Sequence, residues 1–262
     1  MIPKIIHYCW FGRNPLPESA QKCIASWRKF FPDYEIWQWS EETLNENENQ
    51  NEKNNLCDKI LGFDVNSIQY TREAYEAKKY SFVSDYARFW ILYKYGGLYF
   101  DTDVEVIKPM GEIIERGPFM GCEKSRYETG RVAPGLGLGA YPGMDTYKEI
   151  LDIYKIERFN KEHGNEVKTI VDYITDYFSE NTRIEKNKVM CLKGIIIYPD
   201  DFFCPMDSTT GIIMITNNTV SIHHYDCSWM NHNTLSFKLH LLKNWLYRFM
   251  GPKIVSKISF KR

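Results

Sequence analysis

The stretch GGLYFDTDV, residues 96–104, decides the fold class of this chain. Its apolar part, Leu98–Phe100, is typical of a short strand buried inside a covered parallel or mixed sheet. Asp101 and Asp103 follow this strand, and burying two carboxylates is costly unless a cation neutralises them. Mg²⁺ and Mn²⁺ prefer such oxygen ligands, often together with substrate phosphates. The stretch therefore indicates a metal site or, as the alternative, an ordinary Asp-rich turn.

A helical segment leads directly into this strand. From Thr71 to about Tyr95, apolar residues recur at three- and four-residue intervals, and the glycine pair at 96–97 ends the helix. Asp85 and Arg88 are three positions apart, so they share one face at the margin of the apolar stripe. They form either an exposed ion pair, which contributes about 0.3 kcal/mol, or a pair that binds a ligand.

The flanking segments complete an α/β pattern. A strand, a helix and a second strand open the chain at Lys4–Phe11, Glu18–Phe30 and Tyr34–Trp39, as in a βαβ unit. Residues 130–143 are interpreted as a glycine-rich connection that contributes to acceptor choice. Short strands are predicted near Ile212–Thr216 and Val220–His224.

The overall composition fits a soluble α/β protein of 262 residues with a net charge of −1. Its 18 Tyr, 15 Phe and 7 Trp suit a core and also stacking on sugars or bases. Seven scattered cysteines without a Cys-x-x-Cys pair indicate reduced thiols. The N-terminus lacks a signal peptide and no apolar run is long enough to span a membrane. We expect a cytoplasmic protein with no nucleic-acid partner.

The C-terminal region has a different charge balance from the body. Beyond Asp226 there are seven Lys and Arg residues and no Asp or Glu. Leu235–Met250 has the pattern of an amphipathic helix, so the chain is divided into a domain at 1–234 and a basic stretch at 235–262. Such a helix either lies on the anionic inner face of a membrane or packs against the body.

Three blocks of the sequence resemble a known family. Residues 84–103, SDYARFWILYKYGGLYFDTD, closely resemble the DXD-containing sugar-binding region of glycosyltransferase family 32. That family includes capsular polysaccharide and mannosyl transferases, and the large clostridial glucosylating toxins share the region. The opening IPKIIHYCWFG, residues 2–12, is similar to the family's first strand. Residues 223–229, HHYDCSW, are similar to its closing His-rich segment.

The resemblance implies a GT-A type nucleotide-sugar-binding fold: a mixed, mostly parallel central sheet flanked by helices, with a C-terminal helical extension. It further implies a metal-dependent, retaining glycosyltransferase that uses Mn²⁺ or Mg²⁺. The implied donor is a nucleotide sugar, with a UDP-sugar favoured. The implied acceptor is a saccharide or a lipid-linked saccharide in capsular polysaccharide or glycolipid synthesis. Which sugar is moved, and which linkage forms, is left open by the sequence.

The resemblance also implies roles for individual residues. Asp85 and Arg88 would contact the donor sugar, and Asp101 would contact the ribose or sugar and assist with the metal. Direct metal ligation would fall to Asp103 and, from the closing segment, to His224. The base would stack on Trp10, and the diphosphate would lie near Ser228 and Trp229. The implied catalytic set is Asp85, Arg88, Asp101 and Trp229.

Other interpretations of the same residues stay open. Trp10 is also compatible with an ordinary core aromatic, and His223 or His224 with a satisfied turn residue. Asp101 is similarly placed to the nucleophile of haloacid-dehalogenase-type phosphatases, although that motif normally begins the fold. A non-catalytic nucleotide-sugar-binding protein would keep Trp10 and Asp85 without needing the metal pair.

Overall fold

A computed structural model describes residues 1–42, 56–159 and 168–226. Several expectations fall on residues outside these ranges. They are the site residues Ser228 and Trp229, the helix at 235–250 and the domain boundary after residue 234. These expectations stay predictions.

One large mixed sheet organises the described chain. Its strands are β1 Ile5–Cys9, β2 Glu35–Ser40, β3 Lys59–Gly62, β4 Gly97–Tyr99, β6 Phe119–Glu123, β7 Arg131–Val132, β8 Leu138–Ala140, β9 Met190–Leu192 and β10 Ile195–Tyr198. The strand order is β3-β2-β1-β4-β8-β6-β10-β9, with β7 paired to β6. Six of these nine strands (β1, β2, β3, β4, β6 and β10) run in one direction, so the sheet is mostly parallel.

Helices cover both faces of this sheet, because alternate strand residues point to opposite sides. Tyr8 and Leu98 face an apolar cluster around Trp27, whereas Tyr99 faces a second cluster around Phe89. The mixed α/β architecture expected from the sequence is confirmed. The described helices are Glu18–Phe30, Gln69–Glu76, Tyr80–Tyr95, Gly111–Glu115, Asp145–Ile156, Ile170–Ser179 and Asp200–Phe203.

The segment before the Asp-Thr-Asp triplet forms two helices, so the expectation of one uninterrupted helix from Thr71 is wrong. The first helix ends at Glu76, and Lys78 has a left-handed φ of 58°. The Lys78 amide donates to Tyr75 O and the Lys79 amide to Ala74 O, the bonding pattern of a Schellman termination. A lysine at the left-handed position gives no sequence signal. The second, long helix (Tyr80–Tyr95) ends at Gly96, where φ is 65°, as predicted.

Two further expectations need correction. The glycine-rich stretch at 130–143 contains β7 and β8, and β8 lies between β4 and β6 inside the sheet. It is therefore part of the framework and not only a connecting loop. The segment Ile212–Thr216 is not a strand, because its pairing is limited to a single bridge between Ile213 and Met206.

A small second sheet completes the fold. β5 (Val104–Val106) pairs antiparallel with β11 (Ser221–His223), and His223 lies opposite Val104. This pairing brings the end of the described chain next to the Asp-Thr-Asp triplet. Within the three described ranges, no helix is both long and apolar enough to cross a membrane.

Candidate functional site

The chemically active side chains meet at the edge where parallel strands β1 and β4 end. His7 is in register with Tyr99, so the residues that follow each strand lie side by side. In open α/β sheets, ligands bind outside the carboxyl ends of the strands. Trp10, Asp101 and Asp103 all follow β1 or β4 at this edge.

Arg88 forms the centre of the first half of the site. Its guanidinium lies 3.1 Å from Asp85 Oδ1 and 3.2 Å from Asp101 Oδ2, and its Nε donates to Ser84 O at 3.0 Å. The side chain is only 3% exposed and lies over the Tyr99 ring. Asp85 and Arg88 are therefore not an exposed ion pair, which was one of the two alternatives that the sequence left open. They form a buried ion pair extended to the first aspartate of the triplet.

Burial controls the protonation of this half, which we call the Arg88 network (Asp85, Arg88 and Asp101). Burial raises the pKa of Asp85 to about 7, although Arg88 opposes the shift. Burial also raises the pKa of Asp101, again against Arg88 and with a further contribution from Asp103. Burial alone would lower the pKa of Arg88, but Asp101 and Asp85 raise it. One permanently charged guanidinium thus serves two carboxylates.

Asp101 is held by its surroundings yet reachable from outside. Tyr99 donates its hydroxyl to Asp101 Oδ1 at 3.1 Å, and the Asp101 amide donates to Gly135 O at 3.0 Å. A Cβ on Gly135 would lie 2.0 Å from Asp101 Oδ2, so only glycine allows this close approach. The Asp101 side chain is still 30% exposed, compared with 10% for Asp85. Of the three residues of the Arg88 network, Asp101 is the most accessible to a ligand.

The second half of the site joins two distant segments. His223 Nε2 lies 3.1 Å from Asp103 Oδ1, and the Asp226 amide donates to Asp103 Oδ2 at 3.1 Å. Burial alone would raise the pKa of Asp103, but His223 lowers it. Burial alone would lower the pKa of His223, but Asp103 raises it. The two residues, which we call the Asp103–His223 pair, stabilise each other's charged form.

The structure brings His223 to Asp103, whereas the sequence pointed to His224. His224 Nε2 lies 2.9 Å from Glu105 Oε2, on the partner strand two residues beyond Asp103. Its backbone amide donates to Asp103 O at 2.9 Å, so only its main chain contacts the aspartate. Consecutive residues at a strand end point in different directions, so His223 and His224 contact different carboxylates. A metal role for His224 stays a prediction, without support from this arrangement.

Glu123 is a carboxylate of the same edge that the sequence did not single out. It ends β6, is 25% exposed, and accepts from Arg131 Nε at 3.3 Å. Arg131 is fixed in turn by Asp172 at 2.7 Å. Burial raises the pKa of Glu123 against the effect of Arg131, and the charges of Glu123 and His223 affect each other. Glu123 is not part of a sequence motif. The one feature of the sequence that could have indicated it is its position at the end of a predicted strand.

Trp10 stands at the entrance of a cleft beside this edge. The cleft has a volume of about 580 Å³, and Tyr8, Gln38 and Leu16 also line it. The Trp10 indole N–H donates to Asn14 O at 2.6 Å, which fixes the ring against the turn after β1. The tryptophan is half-buried and therefore keeps surface available for stacking.

The donor set at the triplet fits a divalent cation that is shared with a substrate. Asp101 and Asp103 supply oxygen donors, and His223, whose Nδ1 is buried without a hydrogen-bond partner, supplies a nitrogen donor only when its imidazole is neutral. Within the described ranges, no group of three or more His, Cys, Asp or Glu residues is placed to hold a metal ion by itself. Mg²⁺-type ions are commonly held by one or two carboxylates together with substrate phosphates, which agrees with an incomplete protein cage.

Comparison with known proteins finds similarity to one class, the glycosyltransferases. Residues 17–120, about two fifths of the chain, match the family model described as "Glycosyltransferase sugar-binding region containing DXD motif". The resemblance predicted from the sequence is thereby confirmed for this region.

Individual relatives agree with that class. The chain is 29% identical over 123 residues to inositol phosphoceramide mannosyltransferase 1 of Schizosaccharomyces pombe, covering 45% of this chain and 33% of the relative. It is 24% identical over 227 residues to an uncharacterized glycosyltransferase of Acanthamoeba polyphaga mimivirus, covering 83% and 82%. The chain thus spans about a third of the length of the yeast relative.

Solved structures of glycosyltransferases are also similar. The PaToxG glycosyltransferase has a TM-score of 0.48 and 20% identity, with 66% of this chain and 65% of that chain covered. The galactosyltransferase LgtC, solved with donor and acceptor sugar analogs, has a TM-score of 0.45 and 15% identity, with 90% and 94% covered.

Proposed function

We propose that this chain is a metal-dependent glycosyltransferase of the GT-A type. It moves a sugar from a nucleotide-sugar donor to a saccharide or lipid-linked saccharide acceptor with retention of anomeric configuration. The observation that carries the proposal is the convergence of the Arg88 network and the Asp103–His223 pair at one carboxyl edge of a mostly parallel sheet. The DXD family match, which covers Asp85, Arg88, Asp101 and Asp103, supports it.

The Arg88 network is suited to hold the donor sugar. Sugar hydroxyls both donate and accept hydrogen bonds, so a carboxylate beside a guanidinium offers matching partners for them. Because Asp85 and Asp101 are fixed by Arg88, little reorganisation is needed when the sugar binds. Near the anomeric carbon, the Asp101 carboxylate would stabilise developing positive charge in the transition state.

The Asp103–His223 pair is suited to the diphosphate side of the donor. These residues, assisted by Asp101, would hold a divalent ion such as Mn²⁺ or Mg²⁺ between protein and phosphates. The chemistry such an ion supplies is Lewis-acid stabilisation of the leaving nucleoside diphosphate. In the same site Trp10 would stack on the base, with Ser228 and Trp229 near the phosphates. Front-face attack by the acceptor, assisted by the leaving phosphate, would account for retention.

The candidate donors are suggested by the resemblance and the relatives and not by the geometry of the site. A UDP-sugar is favoured by the family resemblance, and the mannosyltransferase relatives add mannose as a donor sugar to test. Those relatives are named for transfer to inositol phosphoceramide, so a glycolipid acceptor and a location at the inner face of a membrane are part of the proposal.

Donor hydrolysis in the presence of Mn²⁺ tests the proposal. UDP- and GDP-sugars are incubated with the full chain, with and without EDTA, and the free nucleoside diphosphate is measured. We expect one donor to be hydrolysed in a Mn²⁺-dependent reaction, and Asp103→Asn to lower kcat at least about 100-fold. The matched control is Asp152→Asn, an exposed carboxylate on the helix Asp145–Ile156, which should leave the rate unchanged.

Three further measurements separate the alternatives. Rapid phosphate release from a generic phosphate ester with Mg²⁺ would favour a phosphatase, although both Asp101 oxygens already have partners in Arg88 and Tyr99. Donor binding by calorimetry that is independent of metal, without transfer to any acceptor, would favour a binding protein. Anomeric NMR of the product decides between retention and inversion.

A further inference from the structure

The segment Ile212–Ile215, which we call the apolar strip, exposes four consecutive large apolar side chains. Their exposed fractions are 37% for Ile212, 41% for Ile213, 61% for Met214 and 58% for Ile215. Elsewhere in the described ranges, exposed large apolar residues are isolated in sequence. Single exposed apolar residues are normal, but a contiguous group marks an interaction surface.

The apolar strip projects from the body as one arm of a hairpin-like loop. The Asp207 amide donates to Ile212 O at 3.0 Å, and the Met214 amide donates to Pro205 O at 3.1 Å. In an extended arm, alternate side chains face opposite sides, so packing against the body would bury every second one. Here neighbouring side chains on both sides are exposed. The arm therefore presents both faces outward and does not cover the core.

Two lysines lie beside the apolar strip. Lys124 Nζ donates to Pro205 O at 3.5 Å, next to the Met214 amide that shares this carbonyl. Just after the strip, Lys108 Nζ donates to Thr216 O at 3.2 Å. Two carboxylates also face the loop. They accept hydrogen bonds from its own residues: Asp207 from Thr209 and Thr210, and Asp201 from Thr216 and Asn218.

The basic end of the sequence leaves the described body beside the apolar strip. Tyr225 Oη lies 3.0 Å from Cys204 Sγ, and two residues after Cys204 the chain pairs Met206 with Ile213. Beyond Asp226 the sequence contains seven Lys and Arg residues and no acidic residue. The sequence beyond Asp226 therefore has a strongly positive net charge.

We propose that the apolar strip inserts into the interface of an anionic lipid bilayer, with Lys108 and Lys124 contacting lipid phosphates. Apolar side chains flanked by cations bind such interfaces through buried area and attraction to anionic headgroups. A membrane orientation of this kind brings a lipid-linked acceptor to the same molecule. The contact itself does not depend on glycosyl transfer, so it stands or fails independently of the proposed function.

Vesicle co-sedimentation of the full chain tests this surface. Vesicles of phosphatidylcholine with 30 mol% phosphatidylglycerol, about a third anionic lipid, are compared with pure phosphatidylcholine. We expect the triple variant Ile213→Ser, Met214→Ser, Ile215→Ser to lower the partition coefficient on anionic vesicles about tenfold or more. The control is Ile156→Ser with Val189→Ser, which removes two isolated exposed apolar residues and should change nothing.

Several results would overturn the proposal. They are no sedimentation of the unmodified chain, equal binding to neutral vesicles, or undiminished binding of the triple variant. Thermal unfolding of the triple variant without lipid is the second measurement. A Tm that falls by more than about 5 °C would mean that the chain's own residues cover the apolar strip. A dimer of the unmodified chain that the triple variant abolishes would assign the surface to a second copy.

Discussion

The two halves of the candidate site are built in opposite ways. The Arg88 network comes from residues 85–101, a short local segment, and is neutralised by a buried guanidinium. The Asp103–His223 pair joins residues 120 positions apart and depends on an imidazole whose pKa is raised by Asp103. The first half is complete before any ligand binds. Under the proposed function, substrate phosphates and a metal ion would complete the second half.

The largest effect is expected from removing the Arg88 guanidinium from the Arg88 network, the half of the site that is complete without a ligand. Arg88→Met removes the cation that Asp85 and Asp101 share, which should lower the free energy of unfolding by about 3–5 kcal/mol. Donor hydrolysis should fall about 1000-fold, because sugar positioning and charge compensation are lost together. Urea unfolding and kcat/KM measure the two effects.

The matched control is Arg28→Met, because Arg28 forms a half-exposed ion pair with Asp58. It should cost less than about 1 kcal/mol. Equal costs for the two arginine variants would contradict the description of a buried, structural guanidinium in the site.

The incomplete half is tested by comparing two neighbouring histidines. His223→Ala should raise the Mn²⁺ concentration needed for half-maximal activity about 100-fold, because the imidazole contacts Asp103. His224→Ala should change it less than about threefold, since its side chain bonds to Glu105. A larger effect at His224 would restore the sequence-based ligand assignment and break the distinction between the halves.

A single glycine allows the complete half to be disturbed without removing a charge. Gly135→Ala places a methyl group against Asp101 Oδ2 and Arg88, so Asp101 must move. We expect kcat/KM to fall about tenfold with an unchanged Mn²⁺ requirement. Gly111→Ala is the control, because a Cβ there has no neighbour within 4 Å. A changed Mn²⁺ requirement in Gly135→Ala would show that the two halves are coupled.

The free energy of unfolding should also depend on pH. Because burial raises the pKa of Asp85 to about 7, the folded state holds its proton more tightly than the unfolded state. Stability should therefore decrease as pH rises from about 4 to 7, by at most about 1.4 kcal/mol per pH unit for this one group. Asp85→Asn should remove that part of the slope.

Chemical unfolding of wild type and Asp85→Asn at about pH 4.5, 5.5 and 6.5, all between about 4 and 7, measures how the free energy of unfolding changes with pH in each protein. Asp152→Asn provides the comparison, since Lys155 and Lys148 lower the pKa of that exposed carboxylate and no decreasing slope is expected from it. Parallel slopes in wild type and Asp85→Asn would mean that Asp85 is charged throughout.

Local physical rules explain which predictions from the sequence were confirmed. The periodicity of Phe82–Tyr93, the glycine stop at Gly96 and the apolar strand before Asp101 act over a few residues, and each element formed where it was expected. Lys78 in a left-handed conformation split the preceding helix, because the usual glycine signal is absent there. Ile212–Ile215 had the composition of a strand but lacks the neighbouring strand that would make it one.

The sequence by itself determined the helix–strand–Asp-Thr-Asp block, and with it the Arg88 network. Residues three apart on a helix, and those that follow it after a tight stop, have their relative positions fixed by local geometry. Only the tertiary structure decided that His223 and not His224 faces Asp103, and that Glu123 shares the edge. Strand register and sheet order set these contacts, and a shift of one residue exchanges the faces of a strand.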